Sequence, residues 1–173
     1  GWNAAVKLEV RPPEVKGTPL WKNRLGGAMG KSKFPDGPLG ASVQERFFAS
    51  PVLYEGLLIT QNQYGKLYAF NPEAGEIVKT FDLAIKPPAG RGKGPPQGQW
   101  AYFSPAVAGG YLFIGKEGGP VVVFQGKELK EVARNYLEPT RSTMVFQGTR
   151  ACYRGAKNLY CIGESLCERG PKP

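Results

Sequence analysis

A chain of 173 residues with a net charge of +9 and no histidine has the length of one domain. The missing imidazole removes most zinc sites, haem ligation through His, the Ser-His-Asp triad and the commonest general acid–base group. Asp occurs only as Asp36 and Asp82, so hydrolytic or metal-dependent chemistry would fall to scattered glutamates. The positive balance favours acidic partners. The lysines and arginines form no dense run, however, so a merely solubilising basic surface outweighs nucleic-acid binding. No apolar run approaches the roughly 18 residues of a membrane-spanning helix.

Along the chain the apolar segments are short, β-branched or aromatic, and broken by Gly, Pro and Asn, which predicts strands. Val6 to Val10 reads as a strand, Arg11 to Gly17 as a turn, and Thr18 to Leu25 as a second strand carrying Trp21. Residues 1–25 are thus the end of a unit whose start is missing. Residues 26–48 are a Gly/Pro/Lys-rich loop. Residues 49–83 hold a full unit: strands from Ala49, Leu57, Lys66 and Glu76, with Asn71-Pro72-Glu73-Ala74-Gly75 as a tight turn. Residues 84–99 form a second long loop, basic and without an acid. Residues 100–138 are another full unit. Glu128 to Glu138 could be read as helical, but its place in the unit argues for a strand. Residues 139–163 supply three strands of a last unit, and 164–173 read as a tail.

The units repeat one pattern. They open at Ser50, Ser104 and Ser142, carry glycines at Gly56, Gly110 and Gly148, and close on Leu67–Phe70, Val121–Phe124 and Leu159–Ile162. A reused β unit means an array or a ring. A four-stranded sheet cannot bury both faces by itself, so it stacks on its copies.

These residues resemble the pyrroloquinoline-quinone-like (PQQ-like) β-propeller repeat, the blade of quinoprotein alcohol dehydrogenases and of many non-catalytic relatives. Ser50-Pro51 with Gly56, and Ser104-Pro105 with Gly110, match its opening. Ala69, Gly75 and Glu76 match the later motif, with Asn71 in place of Asp, Ala74 in place of Thr and Lys79 in place of Trp. Gly17 and Trp21 match the end of that motif in the first partial unit. The resemblance implies an all-β fold: a β-propeller of four-stranded antiparallel blades, about three of them present as a partial ring. Whole rings need about four to eight blades, so the remaining blades are expected upstream or on a partner chain.

Function is less legible, because propellers host many activities. The first expectation is a non-catalytic module, a protein-binding scaffold or structural subunit of an extracytoplasmic assembly. Lys86, Arg91 and Lys93 in the second loop are its candidate contacts for an acidic partner. The alternative is a fragment of a quinoprotein dehydrogenase, with PQQ and calcium as cofactors and the catalytic residues outside this chain. Neither Asp36 nor Asp82 lies in a matching motif. Trp100, Tyr102 and Phe103 beside the basic loop could stack on single-stranded nucleic acid, but they read better as core residues entering the next strand. The resemblance implies a periplasmic, cell-surface or secreted location. The three cysteines, Cys152, Cys161 and Cys167, have neither zinc nor CxxC spacing. Cys152 and Cys161 flank a Gly-containing turn and would face each other in a hairpin, so a disulfide is plausible in an oxidising compartment. Cys161 with Cys167 is the rival pairing, and three free thiols are the third option.

Overall fold

The computed structural model describes residues 2–24, 47–83, 100–118 and 120–163. Its thirteen strands, β1 (Trp2–Arg11), β2 (Glu14–Arg24), β3 (Val52–Tyr54), β4 (Leu57–Gln61), β5 (Lys66–Phe70), β6 (Ile77–Asp82), β7 (Ala106–Ala108), β8 (Tyr111–Gly115), β9 (Val121–Gln125), β10 (Lys130–Asn135), β11 (Val145–Gln147), β12 (Arg150–Arg154) and β13 (Leu159–Gly163), are joined without a helix among the described residues. Each pairs antiparallel with its neighbour in sequence. The result is a hairpin β1-β2, two four-stranded blades β3-β4-β5-β6 and β7-β8-β9-β10, and a three-stranded blade β11-β12-β13. This is a partial β-propeller.

Two local expectations need correction. The first hairpin is longer than its apolar pattern suggested. It turns at Pro12-Pro13, and Arg11↔Glu14, Val10↔Val15 and Glu9↔Lys16 all pair. Turn residues and charges masked the strand there, since an exposed two-stranded ribbon tolerates polar side chains. The last repeat is also out of step by one residue. Val52↔Ile59, Ala106↔Phe113 and Val145↔Cys152 are equivalent rungs, so Thr143, not Ser142, matches Ser50 and Ser104. Gly148 then matches Glu55 and Gly109, the first turn residues, which have φ of 50° and 57° beside 56° for Gly148. A glycine fits at either turn position, which is why glycine spacing misplaced it.

The equivalent Ser/Thr positions bind the blades in series. Ser50 N donates to Ser104 Oγ at 2.9 Å, and Ser104 N to Thr143 Oγ1 at 3.0 Å. At the opposite end of the strands, buried Tyr54 donates to Gly110 O at 2.8 Å and accepts from Gly126 N at 2.9 Å. A bulge also recurs. The register slips between Ala5 and Val6, between Ala69 and Phe70, and between Glu131 and Ala133. These slips leave Leu20, Val78 and Val132 as extra outer-strand residues, all exposed.

Just past two of these bulges, the outer strand docks on the next sheet. Trp21 Nε1 donates to Pro72 O at 2.7 Å, and its ring stacks on Phe70 at 6.4 Å. Gly75 has φ +72°, and a Cβ there would lie 2.4 Å from the indole, so only glycine fits. Asn71 shapes this turn by accepting from Glu73 N and Ala74 N at 2.9 and 3.2 Å. Only an oxygen acceptor is used, so Asn serves as well as the motif's Asp. At the next blade Lys79 takes the indole's place, donating to Glu128 O at 2.6 Å.

The core lies between sheets. Ile59, Leu67 and Ala69 of one blade meet Leu112, Ile114, Val122 and Phe124 of the next. The other face of that blade, with Phe113 and Val121, packs with Phe103 on Phe146, Ala151 and Tyr153. Tyr68 and Phe70 face the first hairpin with Phe47 and Leu58.

Candidate functional site

In an antiparallel blade, the connections between blades and the turns after each second strand fall at one end of the sheet. That end gathers the chemistry here. Phe47 and Phe48 close the first long loop; Trp100 and Tyr102 close the second. Phe48 stacks on Tyr102 at 5.1 Å and meets Trp100 edge-on at 6.3 Å, and Tyr64, from the turn after β4, stacks on Trp100 at 6.0 Å. The C-terminal ends of the two long loops are therefore held together by one aromatic cluster.

Charged side chains frame this cluster. Arg141 lies over the Tyr102 ring at 5.2 Å and donates to Glu117 Oε1 at 2.8 Å. That hydrogen bond raises the guanidinium above its ordinary value, and the charge of Glu117 adds to it. Lys116 donates to Tyr64 O at 3.0 Å. Burial pushes its ammonium down, opposed by the charge of Asp82. Beneath the aromatics lie buried amides. Gln61 Nε2 donates to Phe103 O and, at 3.0 Å, to Gly115 O. Among the described residues, Gln61 Oε1, both amide atoms of Gln63 and Glu117 Oε2 have no hydrogen-bond partner. Such buried groups ordinarily bind water or a ligand.

A second polar anchor holds the last blade at the same end. Glu138 accepts from Lys157 N at 3.0 Å, Asn158 N at 3.2 Å and Asn158 Nδ2 at 2.7 Å. These bonds, that from Lys157 N first, hold its carboxyl below the ordinary range. Tyr153 donates its hydroxyl to Glu138 O.

Lys86, Arg91, Lys93 and Cys167 lie outside the described residues, as do most of the two long loops and the tail. Phe103 is fully buried, while Trp100 and Tyr102 are half-buried in the cluster. Cys152 and Cys161 are direct partners in the β12–β13 register, both as free thiols. Sequence reading missed Gln61, Gln63, Lys116 and Glu138. None of them stands in a recognisable motif, and Arg141 and Glu117 are 24 residues apart. Among the described residues no three of His, Cys, Asp and Glu come together to hold a metal. No described helix is long and apolar enough to cross a membrane.

No protein-family model matches the chain, and no curated protein matches it. Among solved structures it is similar to BamB from Moraxella catarrhalis, with a TM-score of 0.52 at 11% identity over 86% of this chain and 39% of that one. It is also similar to a quinohemoprotein alcohol dehydrogenase from Pseudomonas putida HK5, with a TM-score of 0.43 at 12% identity over 60% of this chain and 16% of that one. The likeness to BamB is one of fold, a partial β-propeller. The chain spans well under half the length of either neighbour.

Proposed function

We propose that this chain is a non-catalytic stretch of PQQ-like propeller, a scaffold that presents its two long loops to an acidic protein partner outside the cytoplasm. The observation that carries this reading is the convergence of the C-terminal ends of both loops on the Phe48–Tyr64–Trp100–Tyr102 cluster. A rigid frame that gathers two loops at one end is a common way to build a binding surface. Net charge of +9 and the basic second loop favour acidic ligands.

The sheet faces left uncovered among the described residues suit a larger assembly. On the hairpin, Val6, Leu8, Val10 and Val15 share the face opposite Trp21 and are each at least half exposed. On the last blade, Val145 and Leu159 are exposed on the face turned from its neighbour. Further blades, from the same polypeptide or another, would cover both faces.

The test is binding of polyglutamate to the full chain across a salt series, with and without the triple change Lys86→Ala, Arg91→Ala and Lys93→Ala. The expected result is salt-weakened binding that drops by roughly tenfold in the triple variant. Equal binding by both proteins would refute the loop assignment.

A further inference from the structure

Cys152 and Cys161 face each other in the part of the β12–β13 ladder best suited to a disulfide. Gly155 N donates to Asn158 O at 2.8 Å, so the hairpin closes on a hydrogen-bonded pair. Antiparallel rungs alternate. Arg154↔Leu159 is then non-hydrogen-bonded, Tyr153↔Tyr160 hydrogen-bonded, and Cys152↔Cys161 non-hydrogen-bonded. The other side of β12 agrees. Gly148 and Thr149 make a two-residue turn that leaves Gln147↔Arg150 hydrogen-bonded, and hence Val145↔Cys152 as well. The backbone of Cys152 therefore serves β11, and its side chain meets Cys161 across the closer type of rung. Cα atoms in such a rung are about 4.5 Å apart, inside the disulfide window of about 4.4–6.8 Å. No bulge interrupts this ladder.

The position is informative too. The equivalent rungs of the inner blades are Ile59↔Ala69 and Phe113↔Val123, apolar pairs covered by the next sheet. In the last blade two thiols stand there, with Cys161 exposed and Cys152 half-buried. Among the described residues, β13 pairs on one side only. Burial pushes the Cys152 thiol up, and the adjacent Cys161 adds to this, so Cys161 is the side chain an incoming reagent meets first.

We propose that Cys152 and Cys161 are a redox couple that closes into a cross-strand disulfide by exchange with a disulfide oxidant, such as glutathione disulfide or an oxidised dithiol carrier. Cys161 Sγ, as thiolate, attacks one sulfur of the oxidant and expels the other as a thiolate, giving a mixed disulfide. Cys152 gives its proton to water, attacks Cys161 Sγ and expels the second thiolate. Two protein thiols are oxidised by two electrons, and one oxidant disulfide is reduced to two thiols. The bond staples edge strand β13 to β12.

The test uses the full chain equilibrated with excess glutathione disulfide, alkylated, and digested with trypsin without reduction. Cleavage at Arg150, Arg154, Lys157 and Arg169 separates 151–154 from 158–169. The expected product joins these two peptides through Cys161, and forms equally in a Cys167→Ser variant. Amide exchange in β13 should slow roughly tenfold on oxidation and recover with dithiothreitol. A Cys161–Cys167 bond that leaves Cys152 alkylatable overturns the proposal. So does a Cys167→Ser chain whose two thiols stay alkylatable or stop at glutathione adducts.

Discussion

Leu67 and Leu159 are the same residue at the same repeat position, and their surroundings are opposite. Leu67 pairs with Gln61 in an inner blade and is 0% exposed; Leu159 pairs with Arg154 in the last blade and is 78% exposed. The strands are alike in length, order and register. What differs is that the inner sheet has a neighbour on the face carrying Leu67, and the last sheet has none among the described residues. Burial in this architecture is thus a property of stacking and not of the strand.

The sharpest way to break this comparison is truncation at both positions. Leu67→Ala should destabilise the chain by about 2–5 kcal/mol, while Leu159→Ala should stay within about 0.5 kcal/mol. Denaturant unfolding of the two variants measures both. Equal losses would mean that the last blade is covered in solution, and would contradict the exposed face.

Docking between sheets sharpens the contrast further. Trp21 and Lys79 hold equivalent outer-strand positions, each giving a hydrogen bond to a carbonyl of the following turn. Trp21→Ala removes stacking as well as that bond and should cost about 2–3 kcal/mol, its ring being half-buried. Lys79→Ala removes an exposed contact worth about 0.5 kcal/mol. Thermal melts of the two variants test the order, and a larger shift for Lys79 would reverse the reading.

Gln63 offers a smaller effect of opposite sign. Its amide is buried without partners among the described residues, so Gln63→Met should be neutral or stabilise by about 1 kcal/mol. Clear destabilisation would show that the amide is satisfied in solution by water or a ligand.

The smallest expected effect is acidic. Glu138 has a carboxyl held below the ordinary value of 4.5 by its amide partners. Its contribution is therefore complete above about that pH and is lost as pH falls through the lower folded-state value. Amide exchange at Lys157 and Asn158 should be faster in Glu138→Gln than in the parent at neutral pH, with the two converging in acid. A difference that persists unchanged in acid would assign the effect to packing.

Most of the architecture could be read from residues alone. Gly56, Gly110, the Ser-Pro openings and the short apolar runs carry the periodicity, because turns and strand alternation are local and set by side-chain type. The weak points were also local. Gly148 gave the wrong register because either turn position accepts glycine, and Arg11 to Gly17 looked like a turn because an exposed ribbon needs no apolar alternation. The candidate surface was hardly legible. Phe48, Tyr64 and the Trp100–Tyr102 pair come from three separate segments, and Arg141 reaches Glu117 across 24 residues.

The sequence by itself determined the unit, its strand order and the likeness to a PQQ-like blade, since these follow from short-range chain geometry. Tertiary structure alone decided which copy of an equivalent leucine is buried and that Lys79 reaches the Glu128 carbonyl at its docking point. It also decided that two long loops end on one aromatic cluster and that two thiols meet on a non-hydrogen-bonded rung. Each of these depends on which segments lie side by side, and contacts made across distant segments leave no periodic trace along a single chain.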